Sequence, residues 1–364
     1  MRATMLTKSK TVLSYLARKK RARFKRCILH IGTEKTGTST IQRFLVSNRD
    51  ALAAEGVLYP TCGGGESGGS QWGFAASVCR AAWKLDLGRF LNIRSAEDQA
   101  GYRAALINSL GWEFEALAER EILVISSEHF QSRLRHIDEI AALKDFLAHW
   151  VVEFQVVLYL RRQDRVAMSL YSTKVKSGNP KPGVFDAIKA GPLPYYFDYE
   201  AIYRQWAEVF GAGAVAVRLF DRAEWAHGDL VQDFAAAGGI VLAGKEIPES
   251  ENESLSQEGV DFLLEVNKQL PHTAKGGSDA LRQKIAHRVS LLCKGRPTGV
   301  SRAQAQAFYG HFLESNERLR KAAFPDRDRP LFDECFDDYP EQATKTEPRY
   351  EDAVRMAIRL METL

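Results

Sequence analysis

Residues 27–47 read CILHIGTEKTGTSTIQRFLVS. The first five, Cys27 to Ile31, form an apolar run suited to a buried parallel strand. Gly32 ends that run, a compact loop follows, and a helical pattern begins near Thr38. A helix N-terminus offers unpaired N–H groups and the positive end of the peptide dipole to an anion. Gly32 and Gly37 let the backbone approach an oxyanion closely, and the amides of residues 36–40 are expected to form its cradle. Thr36, Thr38, Ser39 and Thr40 add hydroxyl donors, while Lys35 adds a point charge beside the loop. An ordinary strand-to-helix turn has the same outline, so the reading depends on what accompanies it along the chain.

Outward from this stretch, three more apolar runs are each followed by a helical pattern: EILVIS at 121–126, QVVLYL at 155–160 and AVAVRLF at 214–220. Helices are predicted over roughly 38–55, 96–119, 137–149, 164–177, 198–210 and 228–237. A helix-rich end from about 254 to 322 and a further helix near 349–363 complete the reading. Strands alternating with helices imply an α/β protein, a P-loop-like three-layer fold with a central parallel sheet and a helix-rich C-terminal part. Two loops interrupt the rhythm: the Gly-rich CGGGESGGSQWG at 62–73, and SGNPKPGVFDAIKAGPLPYYFDY at 177–199 with its prolines and aromatic cluster. Loops of that length usually cap a site.

The 364 residues are 45% hydrophobic and 26% charged, enough to bury a sizeable core. The formal charge of +4 misleads, because residues 1–26 carry ten Lys or Arg and no acid, leaving 40 basic residues against 46 acidic ones. A body near −6 argues against nucleic acid as partner. The tail lacks the apolar stretch and cleavage site of an export signal and is expected to be disordered. Its KKRARFKR cluster is suited to peripheral contact with an anionic membrane, but a plain solubilising extension is the preferred reading. Five scattered cysteines without paired ligand spacing read as reduced thiols of a cytoplasmic protein.

The spacing of Gly32 and Gly37 is that of the nucleoside-triphosphate loop, but that motif needs Lys directly after the second Gly, where this chain has Thr38. Lysine precedes the glycine instead, and no acidic partner for magnesium is evident, so a phosphate site that needs no metal is expected. Lys35-Thr36-Gly37-Thr38-Ser39 after a strand resembles the 5′-phosphosulfate loop of sulfotransferases that use 3′-phosphoadenosine 5′-phosphosulfate (PAPS), whose pattern is Lys-Ser/Thr-Gly-Thr-Ser/Thr. QVVLYLRRQDRVAMSLY resembles the second element of that family, a strand ending in Arg with Ser eight residues later, here Arg161 and Ser169. The family's usual Arg-Asp-Pro is replaced by Arg161-Arg162-Gln163; both arginines are candidates and the spacing favours Arg161. EILVISSEHF, AVAVRLFDRAEWAHGDLVQDFAAAGGI and NESLSQEGVDFLLEVN resemble later blocks of bacterial glycan-type sulfotransferases. The division this suggests is a basic tail at 1–26, a sulfotransferase domain at 27–322, and an extension with a terminal helix at 323–364.

The resemblance implies PAPS as sulfuryl donor. Arg161 would fork onto the 3′-phosphate of that donor and Ser169 would donate to it. Lys35 would stabilise the bridging oxygen as it gains charge, and Glu128 or His129 at the end of the EILVIS strand would be the general base, with Glu128 preferred. Helix-cap or ion-pair duty for Glu128, and plain solvent exposure for His129, are the competing readings. His30 is expected to be buried and hydrogen-bonded, Ser126 and Ser127 either contact the acceptor or cap the turn, and Arg218 either binds ligand or forms an ion pair. Trp72, Phe74, Phe220 and Trp225 are candidates for an adenine slot. The acceptor implied is a saccharide or glycolipid. A nucleotide or sugar kinase with a variant loop, and a phosphonucleotide-binding protein without turnover, are the alternatives.

Overall fold

The computed structural model describes residues 24–64, 69–115, 121–180, 183–185, 193–248, 254–270, 277–343 and 349–362. The chain divides into two compact units: Met1–Leu160 with Ala201–Ser250, and Arg161–Glu200 with Glu251–Leu364. This differs from the single domain plus extension read from sequence. The chain leaves the first unit at the end of a strand and returns through a helix, a change of partner that hydrophobic periodicity does not encode.

The first unit is built on a five-stranded, all-parallel sheet in the order β2-β3-β1-β4-β5. Its strands are β1 (Phe24–Gly32), β2 (Val57–Leu58), β3 (Ile122–Ser126), β4 (Val151–Leu160) and β5 (Val215–Leu219). Consecutive residues along β1, β3 and the second half of β4 are buried, so both faces of the sheet are covered, as parallel sheets require. On one face, helices α1 (Thr38–Ser47) and α10 (Leu230–Gly238) contribute Ile41, Phe44, Leu45, Leu230 and Phe234 to a core shared with Ile28, Val124 and Val157. An edge-to-face aromatic set, Phe74, Phe146, Trp150, Phe114 and Phe24, ties α3 (Trp72–Val78), α5 (Ala96–Glu115) and α7 (Ile137–Leu147) together. Strand β1 is central, and the chain crosses first to one side of it and then to the other. Its carboxyl end is therefore a topological switch point, where open α/β sheets hold their ligands.

Three local departures have visible causes. Strand β1 begins at Phe24, so Phe24–Arg26 belong to the sheet rather than to the tail. Phe24 is buried, and the Arg26 guanidinium donates to Gln155 and to the Gly238 carbonyl at 3.1 and 2.7 Å. Residues 1–23, and with them the expectation of disorder and membrane contact, lie outside the described residues. The helix predicted over 38–55 breaks at Asn48 into α1 and α2 (Arg49–Ala54). The buried Asn48 amide donates to the carbonyls of Phe44 and Glu246 at 2.8 Å each and accepts from the Glu246 N–H at 2.9 Å. The expected 62–73 loop gives way at its end to α3, and the short helices α4 (Asp86–Phe90) and α6 (His129–Arg133) arise where no periodic pattern marks them.

The second unit is helical among its described residues. It comprises α8 (Gln163–Lys176), α11 (Gln257–Gln269), α12 (Gly277–Leu292), α13 (Arg302–Gly310), α14 (Leu313–Ala323) and α15 (Tyr350–Met361). Helix α9 (Tyr199–Phe210) carries the chain back to the sheet. Val175, Leu255, Leu263, Val289 and Met356 form one core, and Val166, Ala167, Phe197, Phe308 and Phe312 another. The segment after residue 323 is built into this unit: Leu331, Phe332, Phe336 and Tyr339 are buried, and the Tyr339 hydroxyl donates to Asp164 at 2.8 Å. No helix among the described residues is long and apolar enough to cross a membrane.

Candidate active site

The loop after β1 has the backbone the glycines foretold. Gly32, Lys35 and Gly37 all lie in the left-handed region, at φ 88°, 67° and 73°. For Lys35 that conformation costs about 1–2 kcal/mol, the kind of local strain that collects at functional sites. Alternating backbone handedness makes successive N–H groups converge into an anion-binding nest. The loop is fastened from below: the Thr33 N–H donates to the Tyr159 carbonyl at 2.9 Å, and the Thr36 hydroxyl donates to the Thr33 carbonyl at 2.5 Å. Helix α1 begins after Gly37 with no side-chain cap and no acidic residue in its first turn, so nothing in the helix itself answers its dipole.

Two expectations need adjustment here. The Thr36 hydroxyl is spent inside the loop and shapes it. The Thr40 amide bonds to the Gly37 carbonyl at 3.0 Å, which leaves the amides before it as the ones a helix start offers. Thr38 and Thr40 are buried, Ser39 is exposed and Lys35 is half-buried.

Glu128 follows β3 and sits directly against the start of the loop. A Cβ built on Gly32 would come 3.0 Å from the Glu128 Cα and 3.1 Å from its Cβ, so only glycine admits the Glu128 backbone this close. Gln42, buried on α1 one turn beyond the loop, donates from Nε2 to Glu128 Oε2 at 3.0 Å, and Ser70 Oγ donates to the same oxygen at 3.2 Å. Oε1 points to His129, whose Nδ1 is 3.9 Å away. Burial pushes the Glu128 carboxyl up, but His129, its own backbone N–H, Gln42 and Ser70 outweigh it and hold the group below the usual range. Burial lowers His129 as well, with Arg133 adding to the effect against the pull of Glu128. Near pH 7 the pair is thus a carboxylate beside a neutral imidazole, two groups able to accept a proton.

Around this pair several polar side chains are committed to one another. His30, fully buried on β1, bonds through Nδ1 to Ser126 Oγ at 2.8 Å, and Ser126 also receives Gln42 Nε2 at 3.3 Å. Ser127 meets Ser70 Oγ at 3.2 Å and the His129 N–H at 3.3 Å, so both serines serve as supports. Arg133 reaches Asp86 at 2.7 Å and the loop residue Glu34 at 3.5 Å. Gln42, Ser70 and Arg133 carry no motif that marks them in the sequence; only the fold brings them to Glu128 and the loop. Arg218 forms an ion pair with the buried Asp233, which also accepts from the Tyr159 hydroxyl at 2.6 Å, so its role is structural.

Of the aromatic candidates, Phe74 is core. Phe220 lies against the loop, since a Cβ on Gly37 would come 2.9 Å from its Cε2, and Trp225 packs on Phe220 at 5.0 Å. Trp72 stands beside His129 instead, with ring centroids 6.5 Å apart.

In the second unit, Arg161 and Arg162 have separate fates. Arg162 is buried. It bridges to Asp164 at 2.8 Å, donates to the carbonyls of Asp333 and Cys335 at 2.5 and 2.7 Å, and lies over the Phe336 ring at 4.0 Å. These contacts commit its guanidinium to the fold of this unit. Burial pushes the Arg161 guanidinium down to about 10, and the nearby Arg165 and Arg296 press it the same way. It stays protonated at neutral pH, and an anion beside it would relieve that repulsion. Arg165 and Arg296 both pair with Asp338, the former at 2.7 Å through Nη2, and neither was singled out in the sequence. Ser169 is half-buried in the second turn of α8 and its carbonyl accepts from the Thr173 hydroxyl at 3.0 Å. The aromatic loop near 194–199 is an anchor: Phe197 and Tyr199 are buried, and the Tyr199 hydroxyl donates to the Arg161 carbonyl at 2.6 Å. Among the described residues no cluster of His, Cys, Asp and Glu could hold a metal ion.

No protein-family model matches the chain. It is similar to an uncharacterized protein of Archaeoglobus fulgidus, 28% identical over 205 residues, which is 56% of this chain and 54% of that protein; the chain thus spans about half the length of this curated relative. Among solved structures it is similar to a sulfotransferase from Alicyclobacillus acidocaldarius, with 18% identity and a TM-score of 0.39, covering 73% of this chain and 96% of that one.

Proposed function

We propose that this protein is a sulfotransferase that moves the sulfuryl group of PAPS onto a hydroxyl or amine of an acceptor. The observation that carries the reading is the uncapped N-terminus of α1 behind a loop holding Lys35 in a left-handed backbone, with the Cα and Cβ of Glu128 packed against the first glycine of that loop and its carboxylate held by Gln42 of α1. An anion-binding loop beside a base, with the lysine before rather than after the second glycine, suits transfer from a phosphosulfate better than from a magnesium triphosphate.

In this reading the acceptor oxygen attacks sulfur and Glu128 takes its proton through Oε1. The bond from sulfur to the 5′-phosphate oxygen breaks, and 3′,5′-ADP leaves with Lys35 beside the oxygen that gains charge. Gln42 and Ser70 fix the other carboxylate oxygen, and His129 is the second proton acceptor within reach. The 3′-phosphate is assigned to Arg161 and Ser169 on the strength of the sequence pattern and the chemistry of the two side chains. A saccharide or glycolipid remains the acceptor class, and the cytoplasm the compartment, that the sequence resemblance and the unpaired cysteines favour.

The test is release of 3′,5′-ADP from PAPS with a panel of hydroxylated acceptors. Native protein should turn over, and Lys35→Ala should lose roughly 10²–10³-fold in kcat while still binding the nucleotide, the cost of removing one preorganised donor. Equal loss of binding and turnover would remove Lys35 from the transition state. Nucleotide binding without release of 3′,5′-ADP in any mixture would leave a binding protein.

A further inference from the structure

We infer that Trp72 and Phe90 form the acceptor platform of this site, and that it selects an uncharged hydroxylated ring with an apolar face over an anionic one. The inference rests on the proposed sulfuryl transfer and names its acceptor.

Phe90 ends α4 with 71% of its surface exposed. A lone exposed apolar side chain means little, but this one is edge-on to Trp72 at 5.9 Å, and Trp72 in turn lies 6.5 Å from His129 at a 47° tilt. The two rings thus run from solvent to the proton-accepting pair. Glu128 and His129 keep 22% and 21% of their side-chain surface accessible, so both are open to a ring that packs on Trp72. An aromatic face is electron-rich and prefers the weakly positive C–H edge or face of a partner ring.

The charges beside the shelf then decide which rings are accepted. Arg133 is held between Asp86 and Glu34, and Glu128 is an anion, so three carboxylates face one guanidinium and the Lys35 ammonium, which the transferring group itself engages. A carboxylate- or sulfate-bearing acceptor would meet net negative charge in a half-buried site, whereas an uncharged ring would use the same groups as hydrogen-bond partners for its remaining hydroxyls. Pyranosides and phenols share this chemistry.

The experiment uses the full chain loaded with 3′,5′-ADP and four probes: methyl β-glucopyranoside, methyl β-glucuronide, 2-naphthol and 6-hydroxy-2-naphthoate. Binding is followed by saturation-transfer NMR, and KM and kcat are measured with PAPS for any probe that is sulfated. Each uncharged ring is expected to outcompete its carboxylate counterpart, and the stronger of glucoside and naphthol identifies the acceptor as sugar or aryl. Phe90→Ala should raise its dissociation constant or KM about tenfold with kcat little changed, and Phe90→Tyr should restore it. Preference for either anion, binding of none of the probes, or indifference to Phe90→Ala would overturn the platform. Failure of the native protein to bind 3′,5′-ADP would instead strike the sulfotransferase reading itself, so the two failures are distinguishable.

Discussion

Gly37→Ala is the sharpest structural perturbation of the loop. The added methyl meets two obstacles. The backbone at φ 73° resists a Cβ, which costs about 1–2 kcal/mol. The methyl would also stand 2.3 Å from Leu230 Cδ2 and 2.9 Å from Phe220 Cε2, with Leu230, the first residue of α10, seated in the core. Overpacking of that kind costs about 1–3 kcal/mol, so the total is on the order of 2–5 kcal/mol and a melting temperature roughly 10 °C lower. Because the strain falls on the nest, affinity for 3′,5′-ADP should drop by tenfold or more. Leu230→Ala removes one obstacle, so the double variant should be less destabilised than the sum of the two single ones, as residues in contact behave. Thermal unfolding and nucleotide titration of the three variants check this. A Gly37→Ala protein with unchanged melting temperature and affinity would refute the loop conformation and its role.

Three further outcomes follow from the geometry. Activity should fall on the acid side as the base protonates; with Glu128 held below the ordinary carboxylate range the rate should stay flat from pH 8 to about 5, and Gln42→Ala should move that limb to higher pH, whereas a native limb that lies above the carboxylate range and does not move in Gln42→Ala would make His129 the base. Arg162→Ala removes the closest cation from the buried Asp164, leaving it Arg165 at 3.7 Å, and should cost about 3 kcal/mol in denaturant unfolding, while Arg161→Ala should weaken 3′,5′-ADP but not AMP. His30 is pushed down to about 4 by burial, so the unfolded chain takes up a proton that the folded one refuses; stability should decline by roughly 3 kcal/mol as pH falls from about 6.5 to 4, and His30→Gln should flatten that decline.

What could be read in the sequence is what is local. The strand, glycines and helix start around Lys35 are encoded within a dozen residues, and the apolar runs of β1, β3, β4 and β5 are unambiguous because a strand buried on both faces has no polar alternation to confuse it. The rest depends on contacts distant in the chain. Asn48 stops a helix by bonding to Glu246, which periodicity over 38–55 cannot reveal. Gln42 and Ser70 converge on one oxygen of Glu128 from different elements, and an isolated Gln on a helix or Ser in a Gly-rich stretch carries no mark of such a role. Strand β2 has only two residues, too few to alternate. Trp72 is a candidate for an adenine slot by its ring alone; its placement beside His129 comes from the packing of α3.

The most direct measurement is calorimetric titration of the full chain with 3′,5′-ADP beside AMP and magnesium-ATP. The account predicts micromolar binding of 3′,5′-ADP that needs the 3′-phosphate, survives chelation of divalent metal and weakens in Arg161→Ala. Preference for magnesium-ATP, abolished by chelation, would contradict it and assign the loop to phosphoryl transfer.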